Sequence, residues 1–509
     1  MKQQNKLARL LQVTALVTVL FALCGCKLHS RSASSDDIFT FKIASAEPSP
    51  RHAVATGSFW EQESPAVLSE KDMNSAKQAW AYFERTIFPE TGLPQGAVGS
   101  DTLTMHNIAG YLAALTCAKR LEIIDSISFH TRMTKLVTWL NSMQLNSMGT
   151  PNTFYNARTG QMIQNNGQQG EDGHSAIDIG RMLIWLRIVR NEYPTHAAAI
   201  DRAVLRWNFR RLLDAEGLLY GAYKDNSGQL NSYRQGRLGP LQYAAKGFAL
   251  WGFNVKASMR TDHYSMVTIN GILLPFDNRP IKEAGLPRSQ GEPFQIGAVV
   301  TGSSLLGGME MGWTSPVYEM ENNLWPEDDT SRQLASASFE VQQSRYEVEG
   351  LLTARTDHNL DHPPYFVIDS VFALGEPFAT IDKSGKSHPE QACVSTGATF
   401  LLWAMFNTPY TDLLMNAVPD MFDSYGGWYA GYYEDSGIAN KSISLNDNAA
   451  ILEALAFVHS GILYRDSTTP GYWELTLKNE SFESQGLPPS KFQIEFQPLL
   501  PLAKAEPMP

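Results

Sequence analysis

Cationic residues are scarce in this 509-residue sequence: 41 Lys and Arg face 52 Asp and Glu, a formal charge of −11. So acidic a chain is a poor partner for nucleic acid or anionic glycans, and neutral or cationic ligands suit it better. Cysteine is scarcer still, at four residues, which excludes a disulfide-stapled scaffold and a clustered Cys/His metal site. There is no G-x-S-x-G elbow, no Walker loop and no H-E-x-x-H, so serine-hydrolase, P-loop and zincin chemistry lack sequence support. No cofactor and no metal is expected. The N-terminal apolar run, Leu10 to Leu23, is broken by Gln12, Thr14 and Thr18 and falls short of the ~20 residues that a spanning helix needs.

What that run does offer is an export signal. Lys2, Lys6 and Arg9 precede it, and it ends in Leu23-Cys24-Gly25-Cys26, which resembles the bacterial lipobox. The expectation is a signal peptide over 1–25 and a lipid anchor on Cys26. Lys27 follows where an Asp would favour inner-membrane retention, so the periplasmic face of the outer membrane is preferred. Cleavage leaves 484 residues and takes three positive charges from the formal −11, leaving −14. Cys117 and Cys393 remain, each in an apolar helical stretch, either as a disulfide or as two buried thiols. Residues 26–68, rich in Ser, Ala and Pro, read as a flexible tether. From 69 to 465 no linker divides the chain, and 466–509 turns to alternating and Pro-rich sequence, a small β or irregular extension.

Helical periodicity dominates the body, over 72–87, 104–122, 128–143, 174–191, 196–214, 240–254, 331–353, 394–406, 410–418 and 445–463, with one or two more helices between 258 and 320. Residues 196–214 are amphipathic, whereas 177–189, 108–118, 400–406 and 449–458 are apolar almost all round. Buried helices alternating with amphipathic ones predict an all-α fold, an (α/α)6 toroid with short β-hairpins at helix connections. An internal repeat agrees: Gly217–Gly228 aligns without a gap to Gly426–Gly437, sharing the first Gly, two Tyr three apart and a closing Ser-Gly. Residues 152–160 form a looser third copy.

Pro89-Glu-Thr-Gly-Leu93, Thr104-Met-His-Asn-Ile-Ala-Gly-Tyr-Leu-Ala-Ala-Leu115, His174-Ser-Ala-Ile-Asp-Ile-Gly-Arg181, Gly427-Trp-Tyr-Ala-Gly-Tyr-Tyr-Glu434 and Asn446-Asp-Asn-Ala-Ala-Ile-Leu-Glu-Ala-Leu455 resemble the DUF3131 family. That family is similar to six-hairpin glycosidases, especially glucoamylase-like proteins and β-1,2-glucan hydrolases. The resemblance implies a toroid with a glycan cleft. This chain departs from it at Asp357, where the family pattern has Glu.

Glycoside hydrolysis needs one carboxylic acid to protonate the leaving oxygen and one carboxylate to activate water or attack the sugar. Asp178, near the start of an otherwise apolar helix, is the first candidate, either as a catalytic acid or as the partner of Arg181 three residues on. Glu434 closes an aromatic hairpin in which Trp428 and Tyr432 offer sugar-stacking faces. Glu310, flanked by glycines and Trp313, is the third. Other loop acids are Glu171, Asp172, Glu319, Glu321, Asp357 and Asp447. His106, Tyr155, Arg181, Tyr223 and Asp225 complete the expected sugar-binding set, with His106 equally a cap or packing residue. Asp178 and Glu434 are expected on one mouth of the toroid, near Tyr223 and Tyr432. The function expected is a periplasm-facing glycoside hydrolase acting on a neutral glucan; the alternative is a non-catalytic glycan-binding lipoprotein in polysaccharide assembly or export. Metabolic labelling with a palmitate analogue checks the anchor: the wild-type chain should label and Cys26→Ala should not, and retained label on the variant refutes the assignment.

Overall fold

A computed structural model describes residues 65–225, 227–260, 264–278, 297–313, 330–467 and 473. The lipobox at Cys26, nearly all of the tether and, Trp473 apart, the C-terminal extension from 468 lie outside the described residues. The helices among them are α1 (Glu70–Thr86), α2 (Met105–Arg120), α3 (Ser126–Ser142), α4 (Ala176–Glu192), α5 (Pro194–Leu205), α6 (Pro240–Leu250), α7 (Gly302–Met311), α8 (Thr330–Glu349), α9 (Thr396–Phe406), α10 (Pro409–Ala417) and α11 (Leu445–Ser460). Most predicted boundaries lie within a few residues of these. The exception is 196–214, where the helix stops at Leu205 and Leu213 bridges instead to Leu219.

Two helix classes are present because two sequence patterns are. On α1 the buried Ala76, Ala79, Trp80 and Phe83 recur at helical spacing and leave a polar outer face. By contrast, α6 is buried without a break from Leu241 to Leu250, and α9 is buried at all but one position. Such helices need neighbours on every side. They find them in one another: α2 packs on α4, α4 on α6, α6 on α7, α7 on α9, α9 on α11, and α11 again on α2. The amphipathic α1, α3, α5, α8 and α10 pack against members of that set.

Short strands prepare the entries to these buried helices. β1 (Thr102–Thr104) leads into α2, β4 (Gly173–His174) into α4 and β14 (Cys393–Ser395) into α9. Each is the edge of a three-stranded antiparallel sheet whose other two strands form a hairpin: β2 (Phe154–Asn156) with β3 (Met162–Ile163), β5 (Tyr220–Lys224) with β6 (Leu230–Arg234), and β15 (Gly431–Tyr433) with β16 (Ala439–Asn440). These are the three copies of the sequence repeat. Between α6 and α7 the described residues form a longer hairpin, β7 (Tyr264–Ile269) with β8 (Ile272–Asp277). A further set of short strands, β9 (His358–Asn359), β10 (Phe366–Asp369), β11 (Phe372–Ala373), β12 (Glu376–Pro377) and β13 (Thr380–Ile381), lies between α8 and α9. Cys117 on α2 and Cys393 on β14 are both buried free thiols, so the disulfide alternative does not hold.

Buried charges on the outer side are paired. Arg190 on α4 donates through Nε to Asp201 Oδ1 on α5 at 2.5 Å, and the Trp473 backbone N–H donates to Asp201 Oδ2 at 2.8 Å. The closest helix contact is that of α4 with α6, and glycine permits it. A Cβ at Gly247 would lie 2.0 Å from the Gly180 carbonyl oxygen, and one at Gly180 would lie 2.6 Å from Ala244 Cα. In an exposed helix Gly→Ala gains about 1 kcal/mol. Here Gly247→Ala meets backbone that cannot step aside, so the sign should reverse to a loss of about 1–3 kcal/mol or more. Denaturant melts read this directly, and an unchanged or raised stability contradicts the contact.

Candidate active site

The inner helices begin at one cleft. Its lining takes residues from the first turns of all six: Thr104 (the N-cap), His106 and Asn107 of α2, Ser175 (the N-cap) and Asp178 of α4, Pro240 and Tyr243 of α6, Gly302 and Ser303 of α7, Gly397 and Ala398 of α9, and Ser444 (the N-cap), Asn446 and Asp447 of α11. The cavity is about 630 Å³, within the range of sites that hold a small-molecule ligand. Helix N-termini present unpaired N–H groups and the positive end of the peptide dipoles. Carboxylates are stabilised there, and the cleft contains three: Asp178, Asp357 and Asp447.

Asp178 and Asp447 hold the same local position on two helices. Each is the third residue after a serine N-cap. The Ser175 hydroxyl accepts from the Asp178 N–H at 3.2 Å and donates to its Oδ1 at 3.0 Å. The Ser444 hydroxyl accepts from the Asp447 N–H at 3.1 Å and donates to its Oδ2 at 2.6 Å. Gly397 leaves α9 bare beside Asp447, where a Cβ would come within 3.1 Å of Oδ1. Burial pushes the Asp447 carboxyl up to about 6, opposed by the Ser444 hydroxyl and by His358. Burial also raises the Asp178 carboxyl, against hydrogen bonds from the Ser175 and Thr104 hydroxyls and the His106 N–H. Asp357 is held differently, with Oδ2 accepting from Arg237 Nη2 at 3.2 Å.

Arg181 does not serve Asp178. Its Nη2 donates to Glu453 Oε1 of α11 at 2.6 Å, and its Nη1 reaches His106 Nε2 at 3.1 Å. Beneath it Glu310 is fully buried, accepting from Trp185 Nε1 at 2.6 Å and from the Tyr243 hydroxyl at 2.7 Å. Burial raises both Glu310 and Glu453, with Arg181 opposing the rise in each, and the two carboxyls interact. Glu310 is therefore below the cleft rather than in it, because its Gly-flanked helix faces inward.

Of the expected site residues, the structure gathers His106, Asp178 and Arg181 in the cleft lining. The others lie elsewhere. Glu434 is clamped by Arg355, with Nη2 2.7 Å from Oε2, and by Arg345 Nη1 at 2.9 Å, which makes it a buried tie between β15 and distant segments. Tyr155 is buried, its hydroxyl donating to the Gln144 carbonyl oxygen at 2.7 Å. Trp428 is a core residue whose Nε1 donates to the Ser75 carbonyl oxygen, and Tyr432 is buried on β15. Tyr223 pairs with Gly173 on the adjacent strand and lies 6.1 Å from the Tyr233 ring; it is Tyr233 that lines the cleft. Asp225 closes an exposed turn, and the Ser227 hydroxyl, with the Gln229 N–H, holds its carboxyl down to about 2. The hairpin acids and aromatics singled out from the sequence thus organise turns and core, and Tyr233 is the hairpin aromatic that reaches the cleft. Sequence reading passed over Asp447 as a main candidate, although Ser444-Leu-Asn-Asp447 repeats the Ser-x-x-Asp signal of Ser175–Asp178.

A family described as a protein of unknown function, DUF3131, matches residues 74–461. Among curated proteins none matches the sequence. Solved structures share the fold at low identity. An endo-β-1,2-glucanase from Chitinophaga pinensis, in complex with sophorotriose and glucose, superposes with a TM-score of 0.53 and 16% identity, covering 78% of this chain and 94% of that one. A "putative glucoamylase" from Bacteroides fragilis NCTC 9343 gives 0.55 and 14%, covering 79% and 95%.

The Asp447 carboxyl carries a stability signature. Unfolded it releases its proton near 3.8, folded near 6, so the folded chain binds more protons between those values. Its contribution is complete below 3.8 and is lost as pH rises through 6. Urea melts at pH 4 and pH 7 should show the wild type losing up to about 3 kcal/mol relative to Asp447→Asn across that interval. Parallel pH profiles for the two proteins contradict the buried carboxyl.

Proposed function

The chain belongs to the DUF3131 family, and we propose that it is a glycan-acting hydrolase of (α/α)6 toroid architecture, lipid-anchored through Cys26 and facing the periplasm from the outer membrane. The observation that carries the reading is the pair of N3 aspartates, Asp178 and Asp447, in a cleft at the N-termini of six helices. In this reading Asp447, which keeps its proton up to about 6, donates it to the glycosidic oxygen as the C1–O bond breaks. Asp178 takes a proton from the water whose oxygen bonds to C1. Asp357 is left out of the proton transfer, because its carboxylate is already engaged by the Arg237 guanidinium.

A neutral glucan-type substrate fits the acidic balance of the chain and the hydroxyl-rich, amide-rich lining, in which Asn107, Gln235, Asn359 and Asn446 can each donate and accept. The fold shared with the β-1,2-glucanase supports the same class. A second reading, a glycan-binding lipoprotein without turnover in polysaccharide assembly or export, is favoured by one observation: both aspartates sit in N-terminal capping arrangements that hold helices without any chemistry.

Reducing-end release from a panel of neutral glucans separates the two. Asp178→Asn and Asp447→Asn should each lower release by about 100- to 10,000-fold, with neither variant melting well below the wild type at the assay pH. Wild-type release by both variants sinks the catalytic assignment. Sugar binding by a wild-type chain that cleaves nothing moves the protein to the binding class.

A further inference from the structure

Hydrogen-bond accounting singles out one wall of the cleft. Four polar atoms there are buried without a hydrogen-bond partner among the described residues: Arg237 Nε, Ser303 Oγ, Asp357 Oδ1 and His358 Nε2. Buried polar groups in native proteins are nearly always satisfied, so such a concentration in a cavity marks groups that a ligand completes. Asp178 and Asp447 differ, since both carboxyls already have partners, and the one other open atom among the described lining residues is Arg181 Nε on the floor.

The pairing of Arg237 with Asp357 sets the pattern. The guanidinium edge that carries Nε and Nη2 is the one that normally grips a carboxylate with two parallel bonds. Here only Nη2 is used, 3.2 Å from Oδ2. Nε remains an open donor and Oδ1 an open acceptor, held close by the bond they flank. His358 adds a further open position. Its Nδ1 lies 3.0 Å from the Thr356 carbonyl oxygen and donates to it, which leaves Nε2 as the ring nitrogen open to a ligand. The His358 side chain is fully buried, which fixes where Nε2 points. Phe366 and Tyr233 put aromatic rings in the same cleft, with Lys383 Nζ 5.2 Å from the Phe366 ring centre.

An open donor beside an open acceptor matches two adjacent hydroxyls. One donates to Asp357 Oδ1, and the oxygen of its neighbour accepts from Arg237 Nε. A uronate fits badly, because its carboxylate would approach Asp357 along with Arg237. An amine would lack an acceptor for Nε. We infer that Arg237, Asp357 and His358 form a specificity subsite that reads vicinal hydroxyls on a neutral pyranose, with Ser303 at its edge. The inference rests on the glycan reading above but not on turnover.

A deoxy scan tests it with sophorose and its monodeoxy analogues as probes, titrated by calorimetry into the full chain carrying Asp447→Asn to stop cleavage. Removing either of two adjacent hydroxyls should weaken binding at least tenfold, since a site built to bond a hydroxyl discriminates against its absence. The remaining deletions should matter less than threefold. Adding Asp357→Asn should erase the penalty for one of the two positions, and adding Arg237→Lys should erase it for the other; thermal melts of each variant verify folding. A flat scan, or penalties that neither variant alters, overturns the subsite, as does failure of the folded chain to bind sophorose at all. Diol-selective binding without reducing-end release by the wild type leaves the subsite standing and removes the hydrolase reading. Release without diol selectivity does the reverse.

Discussion

Burying a cation among packed helices is expensive unless carboxylates surround it, and Arg181 is the point on which this protein's interior turns. It belongs to α4, bonds to Glu453 of α11 and touches His106 of α2. Glu453 in turn meets Glu310 of α7, which is bound by Tyr243 of α6. Five of the six inner helices are tied by one group of side chains. Removing any single member would strand the rest, a loss typically of about 3–5 kcal/mol for a buried pair. An apolar plug could fill the same space, but it would not fix which helix faces which.

The same cluster forms the floor of the cleft, so fold and site share their constraint. Above it the six N-termini supply unpaired N–H groups and a positive dipole field, and the chain answers with acids at the third position of two helices. Burial then works against the field. It raises Asp447 and Asp178 above the ordinary carboxylate range while their serine caps pull them back. The result is a pair of carboxyls raised by burial in one cavity, the kind of environment from which acid–base chemistry is built. The unpartnered atoms belong to Arg237, Asp357 and His358, so recognition and proton transfer are assigned to separate residues.

Much of the fold was legible because its signals are local. Apolar runs such as Phe400–Phe406 became helices buried on most sides, and the Gly–Tyr hairpin repeat reappears as three equivalent sheets edged by β1, β4 and β14. The site was legible only in part. Asp178, His106 and Arg181 sit at helix starts that the sequence marks with Ser175 and Thr104, and they reached the cleft. Glu434 was misread because its aromatic hairpin resembles a sugar platform, and nothing near it in sequence reveals Arg345 and Arg355, which arrive from 89 and 79 residues away. Glu310 was misread because glycines suggested a loop where the chain forms a close-packed helix, with Gly308 against Trp313. The wall of Arg237, Ser303, Asp357 and His358 is assembled from three separate segments, and no local pattern announces it.

The most direct test of the central claim, that a glycan lies across the six helix N-termini between two acids, is a crystal structure of the Asp447→Asn chain with a neutral gluco-oligosaccharide bound. The account predicts sugar density in the cleft, a glycosidic oxygen within about 3 Å of the residue 447 side chain, and Asp178 on the side from which water attacks. Sugar bound at any other surface, or in the cleft with Asp178 out of reach of the scissile bond, would contradict it.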